Sequence, residues 1–553
     1  MSDIKEWIIT LHKKEDLEDF YNDMETPGGN LFIPDRAVEV EKRRTISRNT
    51  HYMLTYDEAM LIKNDDRVWD VELAELIDIT TRPNGYTITN GSFSKSWTSS
   101  STHINWGLLR ESEDSNRSNW GDGGTTIVYS DLTITASGKN VDVVIIDGHM
   151  DPTHPEFAVN ADGSGGSRVV QYNWFQNNIG NGTGTYTYTT NGSYTDPSDE
   201  DDNNHGCHCA GTVAGNSQGW ARDANIYNIS PYGSNPNWGN VGLSSSTYWD
   251  YVRAWHNSKP VNPVTGRKNP TITNNSYGSS ITPGDNNFGN VTRTVYRTTD
   301  FNPGRDMTLE ELNARGFGNN SLTGYAFPNY FTSRQADIQD AIDDGIIVVA
   351  SAGNDYWKIC TPTDQDYDNV CYLTYFGFTY SFYYNRGTGS GAGYAPVIVV
   401  GAVGNDNNED KASFSNCGDQ VDVYAAGEAI QSSLNSGTVS DPRDSNYKLG
   451  KYQGTSMSGP QVAGILALLA ESWPNMTQAE AHAWIIDNAN EDQMFDTQTD
   501  DPTDWQSLRG GANLFARWIN QRNINGHTFP KTNFKPRPTS GRIYPRPTVR
   551  RRG

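Results

Sequence analysis

The run Val-Ala-Gly-Ile-Leu-Ala-Leu-Leu from Val462 to Leu469 is apolar on every face of a helix. A helix of that kind has to be buried in a large core. The chain has the length for one: 553 residues suffice for a large domain and a smaller companion. Immediately upstream, Gly454-Thr-Ser456-Met-Ser-Gly-Pro460 begins with a turn-forming residue and places Pro460 where it fits the first turn of the buried helix. Ser456 is thereby set at a buried helix N-terminus, among unpaired N–H groups and the positive end of the dipole. An isolated serine there is ordinarily a cap. The rest of the chain supplies residues that give it another meaning.

Strand-length apolar runs alternate with helical segments, the pattern of a parallel sheet. Val141 to Ile146 reads as a buried strand that ends on Asp147, and ligand sites in open parallel sheets lie at strand C-termini. Further strands are expected at Ile226–Ile229, Thr271–Gly278, Ile346–Ala350 and Val397–Val403, with helices at Thr247–Asn257, Gln335–Asp344 and Thr477–Asn488. One of these strands opens into Ser276-Tyr277-Gly278, another into Ser351-Ala-Gly-Asn354. Between the first two lies His205-Gly-Cys-His-Cys-Ala-Gly-Thr212, whose small residues describe a tightly packed helix. Two His and two Cys so close together invite a metal. Residue 207, however, lies off the face shared by 205, 208 and 209, and no second pair completes a tetrahedral site.

Residues 1 to about 77 read as a small α/β unit. Trp7–Leu11 is a strand candidate, and Leu17, Phe20, Tyr21 and Met24 recur on one helical face. Thr55-Tyr-Asp-Glu58 is a capping box, and Arg67–Leu73 closes with a strand. The order suggests a ferredoxin-like module, with one further strand expected near 40–47. Residues 78–103 are polar and read as a linker, 104–520 as the main domain, and 521–553 as a Pro-rich basic tail. Insertions are expected near 160–204, 281–332 and 356–392, the first ending in an acidic run that is ordinarily just solvated.

Net charge is −23, against a nucleic-acid-binding body, although residues 531–553 hold eight Lys/Arg and no Asp or Glu and offer a docking place for an acidic partner. No apolar run reaches the ~18 residues of a membrane span, and Met1–Glu6 does not read as a signal peptide. No membrane partner is expected, and the location expected is intracellular or particle-associated. Five cysteines are an odd count rather than a disulfide framework. Cys360 and Cys371 are close enough in sequence to pair, but free thiols are expected.

Asp147, His205 and Ser456 occur in the chain order of the subtilisin-type triad. The residues around them resemble the subtilisin/proteinase K family of serine proteases: Val-Ile-Ile-Asp147 its acid strand, His205–Thr212 its histidine helix, Gly454–Pro460 its nucleophile helix. Ser351-Ala-Gly-Asn354 resembles its oxyanion loop, Ser276-Tyr277-Gly278 its substrate-binding strand, and Ala412–Asn416 and Val421–Gly427 stretches between. Asn49–Met53 and Asp66–Glu72 resemble parts of the family's inhibitory propeptide. The chain departs from the pattern at Gly148-His149 and at Gln461.

The resemblance implies an α/β fold, a mostly parallel sheet flanked by helices, preceded by the ferredoxin-like prodomain. It implies a serine endopeptidase acting on polypeptides, made as a self-processing zymogen inhibited by its own N-terminal domain. Asp147, His205 and Ser456 would be catalytic, Asn354 the oxyanion-hole side chain, and Ser276, Tyr277 and Gly278 the substrate strand. It implies no cofactor for the chemistry, leaves structural calcium open with no site assigned, and suggests apolar or aromatic side chains at the first subsite. The competing reading is a structural or virion-associated protein on the same scaffold.

Overall fold

Strands buried on both faces need helices on both sides, and the main sheet meets that need. The computed structural model describes residues 4–34, 38, 40–42, 49–73, 87–89, 92–93, 105–112, 132–134, 136–172, 174, 204–229, 232–235, 239–242, 245–278, 280–284, 288–318, 326–328, 330, 332–375, 378–387, 396–406 and 408–519. The acidic run before His205 and the basic tail lie outside them.

The chain divides into two compact units that part after Pro83. In the smaller one, strands Val40–Lys42, Asn49–Leu54, Lys5–Leu11 and Val68–Leu73 lie side by side in that order, every neighbouring pair antiparallel. Helices Leu17–Glu25 and Tyr56–Ile62 connect them in ferredoxin-like order. The strand expected near 40–47 is Val40–Lys42. Thr55 and Glu58 form both bonds of the capping box, Thr55 N–H to Glu58 Oε2 at 2.7 Å and Glu58 N–H to Thr55 Oγ1 at 3.3 Å. Trp7, Ile9, Phe20, Tyr52, Leu54 and Ile62 are among the side chains that fill this unit's own core.

The larger unit is built on eight strands: β1 Asp142–Ile146, β2 Asn225–Ile229, β3 Thr271–Asn275, β4 Ile347–Ser351, β5 Ile398–Val403, β6 Val423–Ala426, β7 Asn490–Glu491 and β8 Leu514–Phe515. They lie in the order β7-β8-β6-β5-β4-β3-β1-β2. All neighbours are parallel except β7 and β8. The helices that bear on the site are α1 His205–Ala214, α2 Ser245–Ser258, α3 Thr332–Asp343, α4 Thr455–Ser472 and α5 Gln478–Asn488. No helix among the described residues is long and apolar enough to cross a membrane.

Helix α4 packs against β3, β4, β5 and α1, and every side chain from Thr455 to Ala470 is buried. It starts earlier than Pro460 implied: Ser456 is its second residue, Gly454 precedes it with φ 146°, and Pro460 stands inside the helix. An interior proline costs about 3 kcal/mol. Val462, Ile465, Leu466, Leu468 and Leu469 are fully buried, and at about 1.5–3 kcal/mol each they outweigh it. Helix α1 lies close against the end of β1, and a Cβ on Gly206 would stand 2.0 Å from the Gly148 carbonyl oxygen. Only glycine fits there.

One expectation is corrected. The stretch read as a linker holds strands Thr87–Thr89 and Ser92–Phe93, paired as a hairpin, and the first also pairs with Leu132–Thr133. Asn90-Gly91 between them is the strongest short-range hairpin signal, and the polar composition hid it. The expected insertions 281–332 and 356–392 pair with each other: Phe288–Tyr296, Thr299–Phe301, Val370–Tyr375 and Phe378–Tyr383 form a four-stranded antiparallel sheet. All five cysteines are free and buried.

Candidate active site

Asp147 follows β1, and Ser276-Tyr277-Gly278 follow β3. The Gly353-Asn354-Asp355 loop follows β4. A parallel sheet delivers all three stretches to one edge, the edge where strand C-termini gather. Helices α1 and α4 begin at that edge, with His205 and Ser456 in their first turns.

His205 Nδ1–H donates to Asp147 Oδ1 at 2.7 Å, and the same oxygen accepts from Gly148 N–H at 2.7 Å. The carboxylate is 4% exposed and the imidazole 27%, so the acid is sheltered and the ring keeps an open face. The Asp147 charge raises the pKa of His205 above its ordinary 6.5, against the opposing effect of burial. Because a carboxylate only accepts, the bond places the proton on Nδ1 and leaves Nε2 with a lone pair.

The Ser456 hydroxyl donates to the Ser276 carbonyl at 3.0 Å. Its own carbonyl shows what Pro460 does. Four residues on, the helix would normally return an N–H to this oxygen, and proline has none. Ser276 Oγ donates to it instead at 3.1 Å, and Cys209 Sγ at 3.3 Å. Cys209 Sγ also lies 3.9 Å from His205 Nδ1, one helical turn away on α1.

Asn354 is oriented by its neighbour in space. Its Oδ1 accepts from Thr455 N–H at 2.8 Å and Thr455 Oγ1–H at 2.9 Å. That engages the oxygen and leaves the amide N–H₂ as the donor end. Asn416 braces the loop from behind: its Oδ1 accepts from Asp355 N–H and Trp357 N–H, and its Nδ2–H donates to Ala352 O.

Ser456, Asn354 and the Ser276-Tyr277-Gly278 stretch line one cleft of about 200 Å³. Ser280, Pro328, Ser351, Gly353, Asp355 and Thr455 complete its lining. Every residue singled out from the sequence is thus placed at this edge of the sheet. Asp355, Ser280, Pro328, Thr455 and Asn416 were not singled out. Thr455 had a signal in its place beside Ser456. Pro328 lies within the 281–332 insertion and Ser280 just before it, where no motif marks either.

The other residues of the His/Cys cluster go elsewhere. His208 Nε2 lies 2.7 Å from the Ile430 carbonyl and its ring stacks on Tyr452, while burial pushes its pKa down to about 3. Gln461 ties buried groups together, accepting from Trp220 Nε1–H at 2.7 Å and donating to Asn105 Oδ1 at 3.0 Å. Among the described residues, Asp147, His205 and Cys209 converge closely enough to hold a metal, as do Cys360, Asp364 and Asp419. Neither fits calcium, which takes about six to eight oxygen ligands. The first offers nitrogen and sulfur. The second includes a thiol and has Lys358 Nζ 3.2 Å from Asp364.

A parallel α/β sheet carrying an Asp–His pair and a helix-borne serine at its C-terminal edge defines a class. Residues 138–503 match the family model for the Subtilase family, and the chain belongs to that family. Subtilisin E of Bacillus subtilis is 34% identical over 162 residues, 29% of this chain and 32% of that protein. A subtilisin-like protease of Coccidioides posadasii is 24% identical over 376 residues, 68% of this chain and 61% of that one. The chain therefore spans about a third of the length of the Bacillus relative. Among solved structures, a cold adapted subtilisin-like serine proteinase aligns over 76% of this chain and 100% of its own, at 19% identity and a TM-score of 0.43.

Proposed function

We propose that the chain is a serine endopeptidase. Ser456 is the nucleophile, His205 its base, and Asp147 the group that orients the imidazole and stabilises its charged form. The observation that carries this is the 2.7 Å bond from His205 Nδ1 to Asp147, which leaves Nε2 able to take a proton. In the reaction the Ser456 hydroxyl leaves the Ser276 carbonyl, passes its proton to Nε2 and attacks the scissile carbonyl. The imidazolium then gives that proton to the leaving amine, and water hydrolyses the acyl-enzyme. The developing oxyanion is met by the Ser456 N–H and the Asn354 amide. An extended peptide lies along Ser276-Tyr277-Gly278 by strand addition.

The smaller unit, with its own core, serves as inhibitor and folding partner, and the enzyme cuts it from itself in the 78–104 stretch. The resemblance of Asn49–Met53 and Asp66–Glu72 to the family propeptide supports this.

A fluorophosphonate probe tests the core of the reading. It is expected to label wild type at Ser456 and to leave S456A and H205A unlabelled. Each variant lowers turnover by about 10⁶ and the double variant by little more, the non-additivity seen for subtilisin's own triad. Probe-labelled peptide lacking Ser456, or additive losses, rejects the assignment.

A further inference from the structure

The cleft beside Ser456 has polar walls and one charge. Of the described residues that line it, Asp355 alone is ionisable to a full charge at neutral pH. Among the described residues, its carboxylate accepts a hydrogen bond from Ser280 Oγ–H at 2.9 Å. Burial raises its pKa above the ordinary value, as expected of an acid short of partners. A half-buried carboxylate with a hydroxyl donor is stabilised further by an opposite charge.

The carboxylate is also close to the reacting end of the cleft. A Cβ on Gly353 would stand 3.7 Å from Asp355 Oδ2. Gly353 N–H in turn donates to Thr455 Oγ1 at 3.1 Å, and Thr455 is the residue before Ser456. A side chain entering this cleft therefore meets the Asp355 carboxylate, which shares the lining with Ser456. Lys and Arg suit this space, with an apolar stem to lie along the walls and a cationic head to reach the acid.

We infer that Asp355 makes this cleft a subsite for a basic side chain, so that peptides are cut after Lys or Arg rather than after the apolar or aromatic residues the family resemblance suggests. The inference rests on the peptidase reading. Its rival is structural: the Ser280–Asp355 bond joins the loop after β4 to the short ladder Ser280–Ile281 with Phe327–Pro328, and pinning that ladder would explain the acid without any substrate. A structural role lowers turnover on all substrates alike, whereas a specificity role changes their ratio.

The test uses the full chain and matched peptides that differ only at the residue before the cut: Lys, Arg, Leu, Phe or Glu. Active-site labelling with the fluorophosphonate comes first, and an unlabelled Ser456 fails the peptidase reading and this inference with it. In labelled enzyme, kcat/KM for Lys and Arg is expected to exceed that for Leu and Phe. D355N is expected to lower the Lys-to-Leu ratio by about 100-fold, D355E to keep the preference, and D355K to move it toward Glu. A wild-type preference for Leu or Phe in labelled enzyme overturns the inference without any variant, as does a D355N ratio equal to wild type.

Discussion

Asp147 and His205 are linked by a charge-assisted bond whose strength depends on protonation. For the proposed proton transfer the imidazole must be neutral, and the Asp147 charge raises its pKa above 6.5. The kcat/KM profile is therefore expected to climb with pH, with a midpoint above 6.5. D147N removes the largest raising effect on the imidazole, so the midpoint moves down, while the rate falls by about 10⁴ because the tautomer is no longer fixed. Stability has its own sign. A folded-state value raised above the unfolded one stabilises the fold below the unfolded pKa, and that contribution is lost as pH rises through the folded value. D147N should accordingly cost more stability in urea unfolding near pH 6 than at strongly alkaline pH. A cost that is the same at both would mean that the pair does not titrate as described.

At the scale of the element, Pro460 explains why residues from three parts of the chain meet at one carbonyl. It deprives Ser456 O of its helical donor, and Ser276 Oγ and Cys209 Sγ replace it. Two donors on one acceptor make each partly dispensable. S276A or C209A alone is expected to cost about 1 kcal/mol or less, because the other donor remains. The double variant leaves a buried carbonyl unsatisfied and should cost about 1–3 kcal/mol beyond the sum. A double-mutant cycle in urea measures that coupling. Simple additivity would mean that the carbonyl finds another donor.

The two units each have a core of their own, which is what a removable inhibitor requires. A chain segment tethered to its own enzyme acts at high effective concentration, so the cut should be intramolecular and insensitive to dilution. Wild type is expected to yield a mature form beginning within 78–104, S456A to stay whole by intact mass, and the separated first unit to inhibit in trans. Active wild type that remains full-length makes the first unit a permanent part of the protein. Thr87–Thr89 and Ser92–Phe93 lie in that stretch as a paired hairpin. The cut is therefore expected outside them, where no ladder has to open.

Much of this could be read from the sequence because it is local. The period of the apolar residues marks which strands and helices are buried. The capping box at Thr55–Glu58 marks a helix start, and the order Asp147, His205, Ser456 together with the residues around each marks the chemistry. The Gly-rich start of α4 marks the proposed nucleophile, and the helix begins earlier than its proline suggested. What the sequence left open depends on side chains that meet only when distant segments are in register. Thr455 holds Asn354 from 101 residues away, and Ser280 reaches Asp355 across 75. The first follows from α4 packing against β4, the second from β3 and β4 being parallel neighbours, which brings the loops after them together. Local periodicity fixes which residues are buried, but it does not fix which strands lie side by side. The type of chemistry was therefore set by the sequence, while the shape and charge of the cleft that selects a substrate were decided by the tertiary structure.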